Sequence, residues 1–173
     1  MIISAIAAVA ENDVIGHQGR LLPWSLPDDM KFFQRTTLNH HIISGRVNYE
    51  SIPDRFRPLR DRVNIVVTRD KDYVAPGAQV CHALDAALDL ARRAEEKEVF
   101  IIGGGQLYEE AFAKDLVSRL YLTTVHAKPE GDTFFPPIGK GWKEVWSEKH
   151  KADERHVHAF TFKVLQRKIR PAG

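Results

Sequence analysis

The sequence predicts an α/β protein of three layers, with helices on both faces of a mostly parallel central sheet and an antiparallel C-terminal strand. Three observations predict it. Short runs rich in Ile and Val recur along the first two thirds of the chain, segments of helical period separate them, and the last runs have no crossover helix between them. The chain has 173 residues, 43% hydrophobic and 28% charged, enough for one packed domain and too little for two ordinary ones. Residues 1–173 are therefore expected to form a single domain, with 170–173 as a frayed tail.

Residues 2–10, IISAIAAVA, make the continuous apolar run expected of a strand buried on both faces. No basic region precedes it and Glu11, Asn12 and Asp13 follow it, which argues against a signal peptide or a membrane span. The stretch 11–25, ENDVIGHQGRLLPWS, carries Gly16, Gly19 and Pro23 without clean periodicity and reads as a long functional loop. Pro27 suits the first turn of a helix, on which Leu26, Met30, Phe33 and Thr37 fall along one apolar stripe. HHIISG, VNIVVT and EVFII read as strands. Leu84, Leu88 and Ala91 keep a helical period before EVFII, and Leu107, Ala111 and Phe112 keep one after it. Three late strands follow, RLYLTTVHA, KEVWSE and VHAFTFKVL; without crossover helices, at least one must run antiparallel.

The 25 basic residues are spread against 23 acidic ones with no concentrated basic stripe, so a nucleic-acid partner is not expected. The single Cys81 has no partner for an intramolecular disulfide or a CxxC site; it reads as a small buried residue in a reducing, cytoplasmic compartment. His40 and His41 are expected to diverge on a strand, and His156 and His158 to share a face without a third ligand, so no metal site is expected. No nucleophile elbow accompanies the Ser, His and Asp residues.

The chemistry concentrates at three places. PWSLPDDMKFF puts Asp28 and Asp29 in the first turn of a helix, where acids are favoured by the free amides and the dipole. That reading suffices for Asp28. Asp29 borders the apolar stripe of Met30 and Phe33 after a Trp-bearing loop, and is the better candidate for a carboxylate held against an apolar pocket. EVFIIGGGQLYEEAF is a strand, three glycines and a helix, a place for close backbone approach by an anionic ligand. ISGRVNYESIP is another strand, Gly and helix start, with Arg46 placed to meet an anion, and Arg69 holds a similar strand-end position.

Taken in order, IAAVAENDVIG, LPWSLPDDMKFF, ISGRVNYESIP, RPLRDRVNIVVTR, IIGGGQLYE and LYLTTVHAKPEGDTFFP resemble the dihydrofolate reductase family from Met1 to about Gln166. The resemblance implies the dihydrofolate-reductase-like fold and NADPH-dependent reduction of 7,8-dihydrofolate, with antifolates as inhibitors and a monomeric enzyme. It implies Asp29 as the carboxylate that binds the pterin ring, supported by Thr123, with Ile6, Ala8, Phe33 and Ile102 as apolar walls. Arg62 would grip the carboxylate of the glutamate tail, assisted by Arg57. Leu22 and Trp24, counted with Asp29 as catalytic residues, belong to the implied lid with Gly16, His17 and Gly19, of which Gly16 and Gly19 would also border the cofactor. On the cofactor side it implies Ala8, Ile15, Gly103, Gly104 and Gly105 near nicotinamide and pyrophosphate. Arg46, Thr68, Arg69 and Gln106 would surround the adenosine phosphates, with Arg69 taking the 2′-phosphate, and Gly45, Val47, Asn48, His82, Leu107 and Tyr108 complete the implied cofactor-binding set.

The chain departs from the family pattern at Ser44, at Asn48 and in the longer IPDRFRPL connection. Two other readings share these residues: a reductase on the same scaffold, such as the riboflavin-pathway pyrimidine reductases, and a noncatalytic pterin or nucleotide-binding module. Asp29 with Thr123 and Arg62 separates the folate reading from the first; Asn48 and Ser44 would be the support for the second.

Overall fold

The protein is described here by a computed structural model covering residues 1–22 and 24–169. Pro23 and the expected frayed tail at 170–173 lie outside the described residues.

Strand β1 (Ile2–Ala10) leads through β2 (Val14–His17) and β3 (Arg20–Leu21) to helix α1 (Pro27–Thr37). Then come β4 (His41–Gly45), α2 (Arg46–Ser51), β5 (Val63–Val67), β6 (Gln79–Cys81), α3 (Leu84–Arg93), β7 (Glu98–Gly103) and α4 (Gly105–Ala113). The chain closes with β8 (Arg119–Val125), β9 (Thr133–Phe134), β10 (Trp142–His150) and β11 (Phe160–Arg167).

Eight strands form the main sheet in the order β10-β11-β8-β1-β7-β4-β5-β6. Pairs from β8 through β6 are parallel, whereas β11 runs antiparallel to both β8 and β10. The antiparallel end follows from the short β10–β11 connection, which has no helix to carry the chain back across the sheet. Alternation along the strands sorts their side chains to two faces. Ile3, Ala5 and Val9 of β1 pack with Leu84, Leu88 and Ala91 of α3 and Leu107 and Ala111 of α4. Ile6, Ile42, Phe100, Phe160 and Phe162 pack on the opposite face against Leu26 and Phe32. The expected three layers are present.

The α1 stripe differs from expectation at one position. Met30 is 57% exposed and Phe32 takes the buried place, its ring stacked at 4.4 Å on Phe162. The long loop also proves more regular than expected. Residues 14–21 form a hairpin through Gln18 and Gly19, both at positive φ, and β9 pairs with it to make a separate three-stranded sheet, β3-β2-β9. Two strands of only two residues each carry no readable alternation.

β1 is followed by α1, which crosses to β4, whereas α4 carries the chain from β7 to β8 on the other side of β1. The direction of winding therefore reverses around β1 and β7, and a crevice opens where the strands end. Ala8, Gly45 and Gly103 lie at those strand ends.

Candidate active site

Asp29 reaches the crevice from the first turn of α1 and Thr123 from the neighbouring β8. The Thr123 hydroxyl donates to Asp29 Oδ1 at 2.6 Å. Burial pushes the Asp29 carboxyl above the ordinary carboxylate range, and the Thr123 hydrogen bond partly offsets that rise. Ala8, Trp24, Phe33 and Ile102 stay partly open on the apolar cluster that includes buried Ile6. The structure thus brings the expected walls Ile6, Ala8, Phe33 and Ile102 together in one cluster. Leu22 is buried with Ala10 and Val14, and Trp24 packs against both that group and the main cluster, so it joins the lid to the crevice wall.

The two arginines expected at the substrate tail behave differently. Arg62 donates from Nε to the Thr37 hydroxyl at 2.9 Å, from Nη2 to the Gln34 carbonyl at 2.6 Å, and from Nη1 to the Arg60 carbonyl. One N–H remains on each terminal nitrogen, the number a carboxylate takes in a forked contact. Arg57 is turned elsewhere, paired with Asp54 and lying 5.6 Å over the Tyr49 ring.

On the other side of the crevice, α2 and α4 begin without a side-chain cap, so their first amides are free of local acceptors. The turn between β7 and α4 is tight. Gly103 has φ +126°, and a Cβ there would stand 3.3 Å from Asn48 side-chain atoms. Gly45 faces the same turn, where a Cβ would lie 3.6 Å from the Gly104 nitrogen. This is a backbone cradle suited to a phosphate-bearing group. The two departures from the family pattern meet at its edge: Asn48 Nδ2 donates to Ser44 Oγ at 3.0 Å. Ile15 is buried beneath this turn in the larger cluster.

Arg46 is committed to Glu50 and Asp70, both at 3.0 Å, and lies 4.4 Å over the Tyr73 ring. Arg69 is exposed and has no ion-pair partner among the described residues. His82 Nδ1 lies 3.0 Å from the Thr68 carbonyl, which draws His82, Thr68 and Arg69 to one strand end. Val47 is 63% exposed and Gln106 is exposed. Leu107 and Tyr108 are different: both side chains are buried, and the Tyr108 hydroxyl donates to the Ile6 carbonyl at 2.6 Å. Only their backbones remain to meet a ligand.

Sequence reasoning missed the fastening of the 14–21 hairpin. Asp132, just before β9, accepts the Gln18 N–H on its carboxylate at 3.1–3.2 Å and donates its own N–H to the Gly16 carbonyl at 3.1 Å. The Gln18 amide is the main cause holding the Asp132 carboxyl below its usual range. A Cβ at Gly131 would stand 2.2 Å from Val14 Cγ1, so the segment needs glycine to come this close. The Gly-Asp pair in KPEGDTFFP was the available signal.

The expected divergence of His40 and His41 is wrong. Both Nδ1 atoms meet the Glu96 carboxylate, at 3.0 and 2.6 Å. β4 starts only at His41 and Asn39 has φ +63°, so strand alternation does not govern the pair. Among the described residues, no group of three His, Cys, Asp or Glu is arranged to hold a metal ion, and no helix is long and apolar enough to cross a membrane.

The fold and crevice define an α/β protein with a Thr-bonded carboxylate on one side of the crevice and a glycine-lined turn on the other. Comparison with known proteins gives the family. The dihydrofolate reductase family model matches residues 2–167. Dihydrofolate reductase type 3 of Salmonella typhimurium is 44% identical over 168 residues, covering 96% of this chain and 99% of that protein. The Bacillus subtilis dihydrofolate reductase is 40% identical over 167 residues, covering 96% and 95%. The solved dihydrofolate reductase of Enterococcus faecalis, complexed with NADP(H) and RAB-propyl, superposes with a TM-score of 0.86 at 35% identity, covering 97% of each chain. The chain belongs to the dihydrofolate reductase family, and its activity is that of a dihydrofolate reductase.

Proposed function

We propose that the crevice binds 7,8-dihydrofolate through Asp29 and NADPH along the glycine cradle, and that the product is 5,6,7,8-tetrahydrofolate. The observation that carries this reading is the Asp29 carboxylate, held by Thr123 at 2.6 Å on the rim of an apolar cleft. A carboxylate there accepts hydrogen bonds from the amino and ring N–H donors of a pterin, each contributing about 1.5–3 kcal/mol when one partner is charged. Ile6, Ala8, Phe33 and Ile102 cover the ring's faces. Arg62, already fixed by three protein acceptors, has two N–H groups left for the carboxylate of the tail.

The cradle fits the dinucleotide: uncapped helix starts at Arg46 and Gly105 offer amides to its phosphates, and Gly45 and Gly103 leave room for its backbone approach. When bound, NADPH supplies the hydride for pterin carbon 6. Arg69, exposed and without an ion-pair partner among the described residues, is the cation offered to its 2′-phosphate, and His82 and Thr68 border the same place. Trp24, Leu22 and the β2–β3 hairpin exclude bulk water from the ring. Asp29 binds the far edge of the ring and tunes it electrostatically, while an ordered water delivers the proton to nitrogen 5.

The protein acts as a single domain in a reducing, cytoplasmic setting, consistent with its lone, buried Cys81. A monomer is favoured by the exposed edge strand β10, where Lys143, Glu144, Glu148 and Lys149 oppose pairing with another strand. Antifolates that present two donors to Asp29 should compete with dihydrofolate. Loss of NADPH absorbance on adding dihydrofolate tests the reading, with NADH as comparison. The reading expects rapid consumption of NADPH and slower consumption of NADH; no consumption of either would favour a noncatalytic binding module.

A further inference from the structure

Helix α1 carries Asp29 but supplies no cap of its own. Its cap position is Leu26, which has no side chain able to accept a hydrogen bond, and Pro27 fills the first turn. The first available amide is that of Asp28, and its acceptor comes from 128 positions away: the Asp28 N–H donates to His156 Nε2 at 3.2 Å. His156 is 1% exposed and lies in the connection between β10 and β11.

That contact fixes the chemistry of the imidazole. Nε2 accepts only if it carries no proton, so the ring hydrogen sits on Nδ1, which faces Asp153 Oδ1 at 2.8 Å. Asp153 also accepts the amides of Arg155 and His156, which holds the turn in shape. The other charged groups around the ring are the Asp28 carboxylate, with Oδ2 3.8 Å from Nε2, and Arg155, which reaches Asp28 Oδ1 at 3.4 Å. From β11 the ring is met by Phe160, centroid to centroid at 5.0 Å, and His150 stacks on Phe160 at 4.8 Å. The same segment continues to His158, whose ring lies 6.4 Å from Trp24 of the lid.

We infer that His156 is a positioning residue for the reaction: its neutral imidazole caps the start of α1 and thereby holds Asp29 opposite Thr123. The geometry is triangular. Thr123 fixes the Asp29 side chain, His156 fixes the backbone one residue before it, and Phe162, six residues beyond His156, pairs in register with Thr123 across β11 and β8. This inference rests on Asp29 as the pterin-binding group.

The test compares His156→Gln, whose side-chain oxygen reaches the Nε2 position, with His156→Leu, which fills the space and accepts nothing. His156→Leu should raise KM for dihydrofolate about tenfold, the scale of a lost helix cap, with the Kd for NADPH unchanged; His156→Gln should stay near wild type. Hydrogen exchange at the Asp28 amide reads the cap without substrate, and should accelerate in His156→Leu but not in His156→Gln. Should His156→Leu fail to fold, Asp153→Ala removes the acceptor that selects the tautomer, and should raise both KM and exchange. Wild-type KM in folded His156→Leu, unchanged exchange at Asp28, or equal damage in His156→Gln would overturn the inference. If wild type shows no dihydrofolate-dependent oxidation, the reading of the site fails instead, and Asp28 exchange alone decides whether the cap exists.

Discussion

Asp29 is held in a state that favours function over stability. Burial raises its pKa, so the folded protein binds its proton more readily than the unfolded chain. Stability therefore falls as pH rises from the unfolded value of 3.8 through the raised folded value. Asp29→Asn removes the charge and keeps an oxygen for Thr123, so its Tm at neutral pH should equal or exceed that of wild type. Thr123→Val removes the one hydrogen bond that lowers the Asp29 pKa. It should move the carboxylate limb of the pH–kcat/KM profile to higher pH and reduce kcat/KM about tenfold or more at neutral pH, given about 1.5–3 kcal/mol for a charge-assisted bond; an unmoved profile would contradict the pairing. Asp29 was legible in the sequence because a second acid followed by Met and Phe at a helix start is more than a cap requires. Thr123 became a partner only through the family resemblance, since nothing local marks one Thr in a strand.

At the scale of elements, glycines at strand ends pointed to the cradle, and β7, α4, β4 and α2 took the expected form there. The lid was less legible. β3 and β9 have two residues each, too few for alternation to register, and their order depends on a contact between Gln18 and Asp132 across 114 positions. The same limit applied to His156, whose acceptor role depends on a helix start far away in sequence. Asp132→Ala should free the hairpin, lower the rate of hydride transfer severalfold and leave the Kd for dihydrofolate in the absence of cofactor unchanged. Pre-steady-state measurement of NADPH oxidation checks this, and an unaltered rate would show that the fastening does not control closure.

For the whole molecule, the three-layer arrangement was legible because apolar runs and helical periods alternate cleanly from Ile2 to Phe112, while the register of β8, β11 and β10 required the structure. One long-range tie was misread. Glu96, just before β7, accepts hydrogen bonds from His41 and His40, which join the start of β4 to the sheet's centre. Burial pushes its carboxyl up, but the bonds from His41, His40 and the amides of His41 and Glu98 prevail and hold it at about 2. Its folded pKa is therefore depressed from 4.5, so its contribution is complete above 4.5 and is lost as pH falls towards about 2. The Tm difference between wild type and Glu96→Gln should be greatest above that window and shrink through it; a difference independent of pH would assign the effect to packing instead.

Asp29, its carboxylate fixed by Thr123, is the group proposed to hold the substrate ring. Its most direct test is steady-state oxidation of NADPH by dihydrofolate at neutral pH in wild type and Asp29→Asn, with NADPH affinity measured separately. Turnover should fall by about a hundredfold or more, as expected for loss of a charged group that acts in the transition state, while cofactor affinity stays the same. Wild-type turnover in Asp29→Asn, or a matching loss of NADPH binding, would contradict the account.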